Sequence, residues 1–236
     1  MSSNPRCRYE SALSVVGVDA CKGGWIAVEL DHDIVSAHFL PSIASLASAV
    51  PAAEVVAIDI PIGLPETGRR AADDEARRVL GARRNSVFYT PPRAALCAAS
   101  HAEGTAIASR LTGYGMSQQA YALGAKILEV DEWLASAPCP VVEVHPEVSF
   151  AELLGEPARA SKKSWPGMVE RYRVLAAAGI YLEELTSEAA RSAAVDDMLD
   201  AGAAAWTARR ILANEARSLP ASPPAGIDGR PVAIWV

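Results

Sequence analysis

The sequence predicts an α/β fold: one domain over residues 1–236, with a mixed central sheet and helices on both faces. Three observations carry this. Three β-branched, apolar runs joined by tight turns open the chain. A short helical stretch then separates the third run from a fourth, which suggests a parallel crossover. Amphipathic helical segments follow, interrupted by one more apolar run. The chain has 236 residues, half of them hydrophobic, enough to bury a real core; disorder is excluded, because disordered chains are poor in apolar residues.

Residues 13–20 (LSVVGVDA) read as the first buried strand, ending at Asp19 and closed by Lys22-Gly23-Gly24. Trp25 to Leu30 reads as the second and Ile34 to Leu40 as the third, with Asp31-His32-Asp33 as the turn between them. Ser42 to Val50 places apolar residues at Ile43, Leu46 and Val50, a short helix that Pro51 stops. Val55 to Ile60 is a fourth strand, again with an aspartate, Asp59, near its end. Residues 69–80 form an amphipathic helix closed by Gly81, and 82–93 a basic, aromatic and proline-containing loop. Ser117 caps a long helix over 118–135. Val141 to Val144 is a fifth strand, 161–167 a polar loop, and helices follow over 168–178 and 193–216. A proline-rich connector over 220–229 leads to a last edge strand within 230–236. Strands one to three are expected to be antiparallel, and strands one, four and five parallel.

A net charge of -6 does not suit a protein that coats nucleic acid through bulk positive charge. Contact with nucleic acid must then use a local basic surface or metal ions. At 6% aromatic residues, an aromatic stacking platform for single strands is not expected. Cys7, Cys21, Cys97 and Cys139 contain no C-x-x-C pair, so zinc-ribbon and thioredoxin-like motifs are absent. The polar N-terminus lacks the apolar core of a signal peptide, and no apolar run approaches the roughly 18 residues of a membrane span. A reduced, cytoplasmic, soluble protein is expected.

Carboxylates mark the candidate site. Asp19 and Asp59 both end buried strands, and in open α/β sheets the ligand crevice lies outside the carboxyl ends of strands. Each has a plain structural reading as a turn cap. Asp197 and Asp200 are three apart and share a helix face, with Ala201, Ala204 and Ala205 small enough for that helix to lie close to the sheet. Asp196 is the alternative partner of Asp200; a solvated acidic helix start accounts for Asp196 and Asp197 better than for Asp200. Glu143, inside the apolar VVEV run, either faces solvent at an edge or joins a site. Together these acids describe a cup that repels itself unless cations fill it, and oxygen ligands select Mg²⁺ or Mn²⁺.

GVDACKGGW, VVAIDIPIGLP, RRNSVFYTPPR, VVEVHPEVSF, SKKSWPG and DDMLDAGAAAWTARR together resemble a domain-of-unknown-function family described as predicted RNase H-like nucleases. The resemblance runs from about residue 14 to the end. The D-x-x-D-A pattern at Asp197 and Asp200 also resembles the final helix of Holliday-junction resolvases of the same superfamily. The resemblance implies a ribonuclease H-like fold and a metal-dependent nuclease, with Asp19, Asp59, Asp197 and Asp200 as ligands; Glu143, from its place in the acidic cup, is a further candidate ligand. Asp19, Asp59 and Asp200 are the expected catalytic set, packed together with no matching cation from the chain itself. Where resolvases often carry Glu as the second strand-borne acid, this chain has Asp59.

Between Arg69 and Arg93 lie seven arginines against three acids, a local excess of four positive charges. Arg84 and Arg93 are the candidate phosphate contacts there; Arg77 and Arg78 read as a solvated helix face paired with Asp73 and Asp74. Lys162 and Lys163 are similar candidates, and His145 a possible proton carrier beside its commoner structural role. Two alternatives stand beside the nuclease. Asp19 to Gly24 resembles the phosphate loop of actin-like and hexokinase-like phosphotransferases, though the glycine pair is equally explained as a hairpin turn. A non-catalytic binding protein of the same fold predicts dispersed or salt-bridged acids. DNA and RNA partners, and the oligomeric state, stay open.

Overall fold

The computed structural model describes residues 14–236, apart from the side chains of Glu184 and Ser192. Leu13 of the first predicted strand, Cys7 and the polar N-terminal segment lie outside the described residues. The apolar runs fold into β1 (Ser14–Cys21), β2 (Gly24–Asp31), β3 (Ile34–Leu40), β4 (Ala53–Ile58), β5 (Val141–Val144), β6 (Ser218–Leu219) and β7 (Ile234–Trp235). They join in one mixed sheet of order β3-β2-β1-β4-β5-β7-β6. β2 is antiparallel to both β1 and β3. β4 is parallel to β1 and β5 is parallel to β4, as the hairpin-then-crossover order predicts. The C-terminal segment departs from expectation. β7 pairs with β5 on one side, and β6 returns antiparallel on its other side, so β6 and not β7 is the edge.

The helices are α1 (Leu46–Ala49), α2 (Ala71–Leu80), α3 (Arg93–Leu96), α4 (His101–Thr112), α5 (Gln118–Ala122), α6 (Gly124–Trp133), α7 (Pro146–Leu154), α8 (Trp165–Ala177), α9 (Glu188–Ser192) and α10 (Val195–Leu212). The long helix expected over 118–135 is two: α5 ends at Ala122, and α6 starts at Gly124, whose bare Cα packs against Leu96. The loop expected over 82–93 opens with a 3₁₀ stretch, Gly81–Ser86. The i, i+4 pairs expected along α2 do not form. Arg77 donates instead to the carbonyls of Arg84 and Val87, and Arg78 pairs with Glu75 at 2.5 Å.

Alternation along β1 sends successive side chains to opposite faces. Val16 and Val18 join Trp25, Ile58 and the α6 residues Ile127 and Val130. Val15 joins Ile26, Phe150 of α7, Leu175 of α8 and the alanines of α10. Gly17 also faces α10. A Cβ there would lie 2.0 Å from the Ala205 amide nitrogen and 2.1 Å from the Ala201 carbonyl oxygen. Helix and strand therefore touch backbone to backbone, which only Gly on one side and Ala on the other permit. Among the described residues no helix is long and apolar enough to cross a membrane.

Candidate metal centre

β1 carries Asp19 two residues past Gly17, β4 ends one residue before Asp59, and α10 brings Asp200 onto β1 one position before Ala201. The Asp59 amide donates to the Val18 carbonyl at 2.9 Å, continuing the β1–β4 ladder up to the site. One carboxylate oxygen from each of Asp19, Asp59 and Asp200 lies within 4.8 Å of the others, and this group can hold a metal ion. Asp19 and Asp200 are buried and Asp59 is half-buried. One Asp19 oxygen accepts from the Ala20 amide at 2.7 Å. Asp200 Oδ1 is buried and has no hydrogen-bond partner among the described residues. A buried carboxylate oxygen left bare is costly unless something binds it, so the donor set fits a hard cation.

The cluster carries a cation of its own, against expectation. Lys162 Nζ donates to Asp200 Oδ2. Loop residue Lys162 is 38 positions from Asp200, so no local spacing signals the pair. Burial pushes the Asp59 and Asp200 carboxyls up to about 7 even with the Lys162 ammonium pulling the other way. Burial, then the Asp59 and Asp200 charges, holds the Asp19 carboxyl well above the ordinary range. Burial opposes the charge on Lys162, but Asp200, Asp59 and Asp19 together raise its pKa.

The remaining predicted residues fall outside the triad. Glu143 does not join it: its two oxygens accept from Arg70 at 2.7 Å each, and the Ile62 amide donates to it at 2.7 Å. Arg70 also holds Asp73, whose other oxygen accepts from the Thr90 amide at 2.8 Å. A glutamate in an apolar strand needed a cation, and Arg70 supplies it. Asp197 is half-buried on the cavity wall, where burial and then Asp196 raise its carboxyl. Arg84 is exposed, and Arg93 is exposed and paired with Asp131; neither lines the cavity. Lys163 lies in a groove that Lys162 borders. The hairpin accounts for both glycines of the phosphate-loop-like stretch. Gly23 has φ +80°, and a Cβ on Gly24 would lie 2.2 Å from the Leu40 carbonyl oxygen.

A cavity of about 180 Å³ opens at Asp19 and Asp59, walled also by Phe88, Gln119, His145 and the Arg70 network. Sequence reasoning missed Arg70, Asp73 and Gln119 as wall residues; the buried Glu143 was the signal that a cation had to be found for it. His145 Nε2 donates to the Ser86 carbonyl at 3.2 Å, which leaves Nδ1 buried without a partner, and burial pushes the imidazole pKa down.

Residues 17–225 match the family described as "Protein of unknown function (DUF429)". The chain belongs to this family. The DUF429 span contains all three triad aspartates, Lys162 and the Arg70–Glu143 network. No curated protein and no solved structure matches the chain.

Proposed function

We propose that this DUF429 chain is a metal-dependent nuclease in which Asp19, Asp59 and Asp200 hold Mg²⁺ or Mn²⁺. The observation that carries the reading is the convergence of three carboxylate oxygens from three elements within 4.8 Å, one of them on a residue whose other oxygen is bare. Oxygen-only donors suit hard divalent cations. The order β3-β2-β1-β4-β5, with only β2 reversed, supports the ribonuclease H-like resemblance, as do acids at two adjacent strand ends and on the last long helix.

A bound divalent cation supplies Lewis acidity to a phosphoryl oxygen and lowers the pKa of an attacking water. The chain's own residues do the rest. The triad would hold the cation, with two of its members at the ends of strands joined by the Asp59–Val18 hydrogen bond. Lys162 borders the cavity and presents positive charge to an incoming phosphate. His145 is among the residues lining the cavity, and its buried, unpartnered Nδ1 is the ring atom left to accept a proton. The cavity volume of about 180 Å³ is below the roughly 300 Å³ at which small-molecule sites begin, so it suits one phosphate of a larger substrate better than a whole small molecule. That favours the nuclease over the phosphotransferase.

The test is to incubate the purified protein with single- and double-stranded DNA and RNA in Mn²⁺ or Mg²⁺. Cleavage should appear, and should vanish in EDTA and in Asp19→Asn. Consumption of ATP with a small acceptor, and no cleavage, would replace this reading with the phosphotransferase.

A further inference from the structure

Beside Lys162 lies a surface groove whose walls include Lys163, Trp165, Val195 and Asp196. Lys162 borders both the cavity and this groove, so the two lie side by side with its side chain between them. Trp165 is 73% exposed, on the first turn of α8. A bare indole on a floppy loop would mean little, but this loop is clamped. Ser164 Oγ donates to the Ser161 carbonyl at 2.7 Å and caps α8 by accepting from the Gly167 amide. Gly167 approaches Ser161 so closely that a Cβ would lie 2.0 Å from the Ser161 oxygen. Fully buried Arg171 donates to the carbonyls of Ala160 and Gly167 at 3.1 and 2.9 Å and to both oxygens of Glu147 at 2.7 and 2.8 Å. The fold thus spends a buried ion pair holding this turn in place, and displays the ring outward.

We infer that Trp165 stacks on a base of a single-stranded nucleic acid whose backbone enters the carboxylate site past Lys162. This rests on the nuclease reading and names its substrate class. An aromatic ring meets the face of a base, and base faces are open only in single strands; a duplex offers edges. Lys163 is exposed, and its ammonium makes no ion pair among the described residues, which leaves it for a backbone phosphate. In a chain of net charge -6, two lysines at the near end of the groove match a polyanion. On the side facing the site the ring shares its groove with Lys163 and Asp196, charge that the core of a protein interface is depleted in, while its other side borders Leu154, Pro166 and Val169. The low aromatic content argues against a platform of many rings; one ring beside the site is enough to orient one base.

The experiment measures binding of fluorescein-labelled (dT)₁₅ and of a 15-base-pair duplex by anisotropy in EDTA, for wild type, Trp165→Ala and Trp165→Phe. Wild type should prefer the single strand. Trp165→Ala should lose about tenfold in single-strand affinity, within the range of one base–aromatic stack, and Trp165→Phe should recover most of it. Melting temperatures should match, since the ring is mostly in solvent. Equal affinity in wild type and Trp165→Ala, with or without a change in self-association on ultracentrifugation, overturns the inference, as does a wild type that prefers the duplex. The two readings fail separately. Metal-dependent cleavage that Trp165→Ala leaves unchanged on both substrates sinks the stacking role alone. Tight, Trp165-dependent single-strand binding without cleavage sinks the nuclease alone.

Discussion

The Lys162 ammonium donates to Asp200 Oδ2 while Asp200 Oδ1 stays bare, so half of one buried carboxylate is neutralised by the chain and half is left for something else. Ammonium and metal ion compete for the same negative potential. In EDTA, Lys162→Met should lower stability by about 1 kcal/mol, a few degrees in Tm, since Asp200 relieves part of the loss by taking up a proton. In Mn²⁺ the deficit should shrink, because a bound cation supplies the missing charge. Thermal melts in both conditions decide it; an equal deficit in each would show that lysine and metal ion do not share the site.

The raised carboxyls set the sign of a pH dependence. The folded chain holds the Asp59 proton to about 7, while an ordinary aspartate releases it near 3.8. Between those values the native state binds more protons than the unfolded state, so the metal-free protein should lose stability as pH rises from about 4 to 7. Asp59→Asn removes that loss, and should be more stable than wild type at pH 8 in EDTA by about 1–3 kcal/mol. Metal binding needs the ionised form. Calorimetric Mn²⁺ affinity of wild type should therefore climb about tenfold or more from pH 6 to 8. Denaturant melts showing a lower apo stability for Asp59→Asn at pH 8 would mean that Asp59 is scaffolding.

Glu143 and Asp59 make opposite predictions, although both are acids at neighbouring strand ends. Glu143→Gln leaves Arg70 buried beside Asp73 alone, and should destabilise the fold by about 2–4 kcal/mol. Its Mn²⁺ affinity should stay within about threefold of wild type, a small change on the 1.4 kcal/mol-per-decade scale. A tenfold or greater drop in a folded Glu143→Gln protein would restore Glu143 as a ligand.

Gly17→Ala tests the seat of α10. The added methyl meets main-chain atoms of Ala201 and Ala205, which cannot swing away as a side chain would. The expected loss is about 3 kcal/mol, at the upper end of overpacking effects, with Mn²⁺ binding weakened because Asp200 moves with the helix. Full Mn²⁺ affinity in a folded Gly17→Ala protein would show that the triad tolerates displacement of α10.

What the sequence discloses follows the range of the forces involved. β1, β2 and β4 are legible because their β-branched residues are buried on both faces and leave near-continuous apolar runs; β3, an edge strand with Ile34 exposed, is legible from the tight turn that precedes it. Asp19, Asp59 and Asp200 are legible as charges in apolar or alanine-rich surroundings. The α4 helix is not, because it buries only Gly104 and Ala108 and shows no apolar stripe; its signal was local, with Ser100 accepting from the Glu103 amide and Glu103 reaching back to the Ala99 amide. Ion pairs across the fold left no trace. Arg70–Glu143 spans 73 residues and Lys162–Asp200 spans 38, and pattern reasoning instead matched Asp73 and Asp74 to arginines one turn away.

The contact of α10 with β1 makes the site stiff. Ala201, Ala204, Ala205 and Gly17 have no side-chain torsions to adjust, so the spacing between the Asp19 and Asp200 backbones is set by main chain against main chain. A cation held between them would meet two fixed points of attachment. Mg²⁺ requires near-ideal octahedral geometry at about 2.0–2.1 Å, whereas Ca²⁺ tolerates irregular shells at about 2.3–2.6 Å. On this mount the two backbones cannot shift to suit a cation, so only the aspartate side-chain torsions remain to fit its radius.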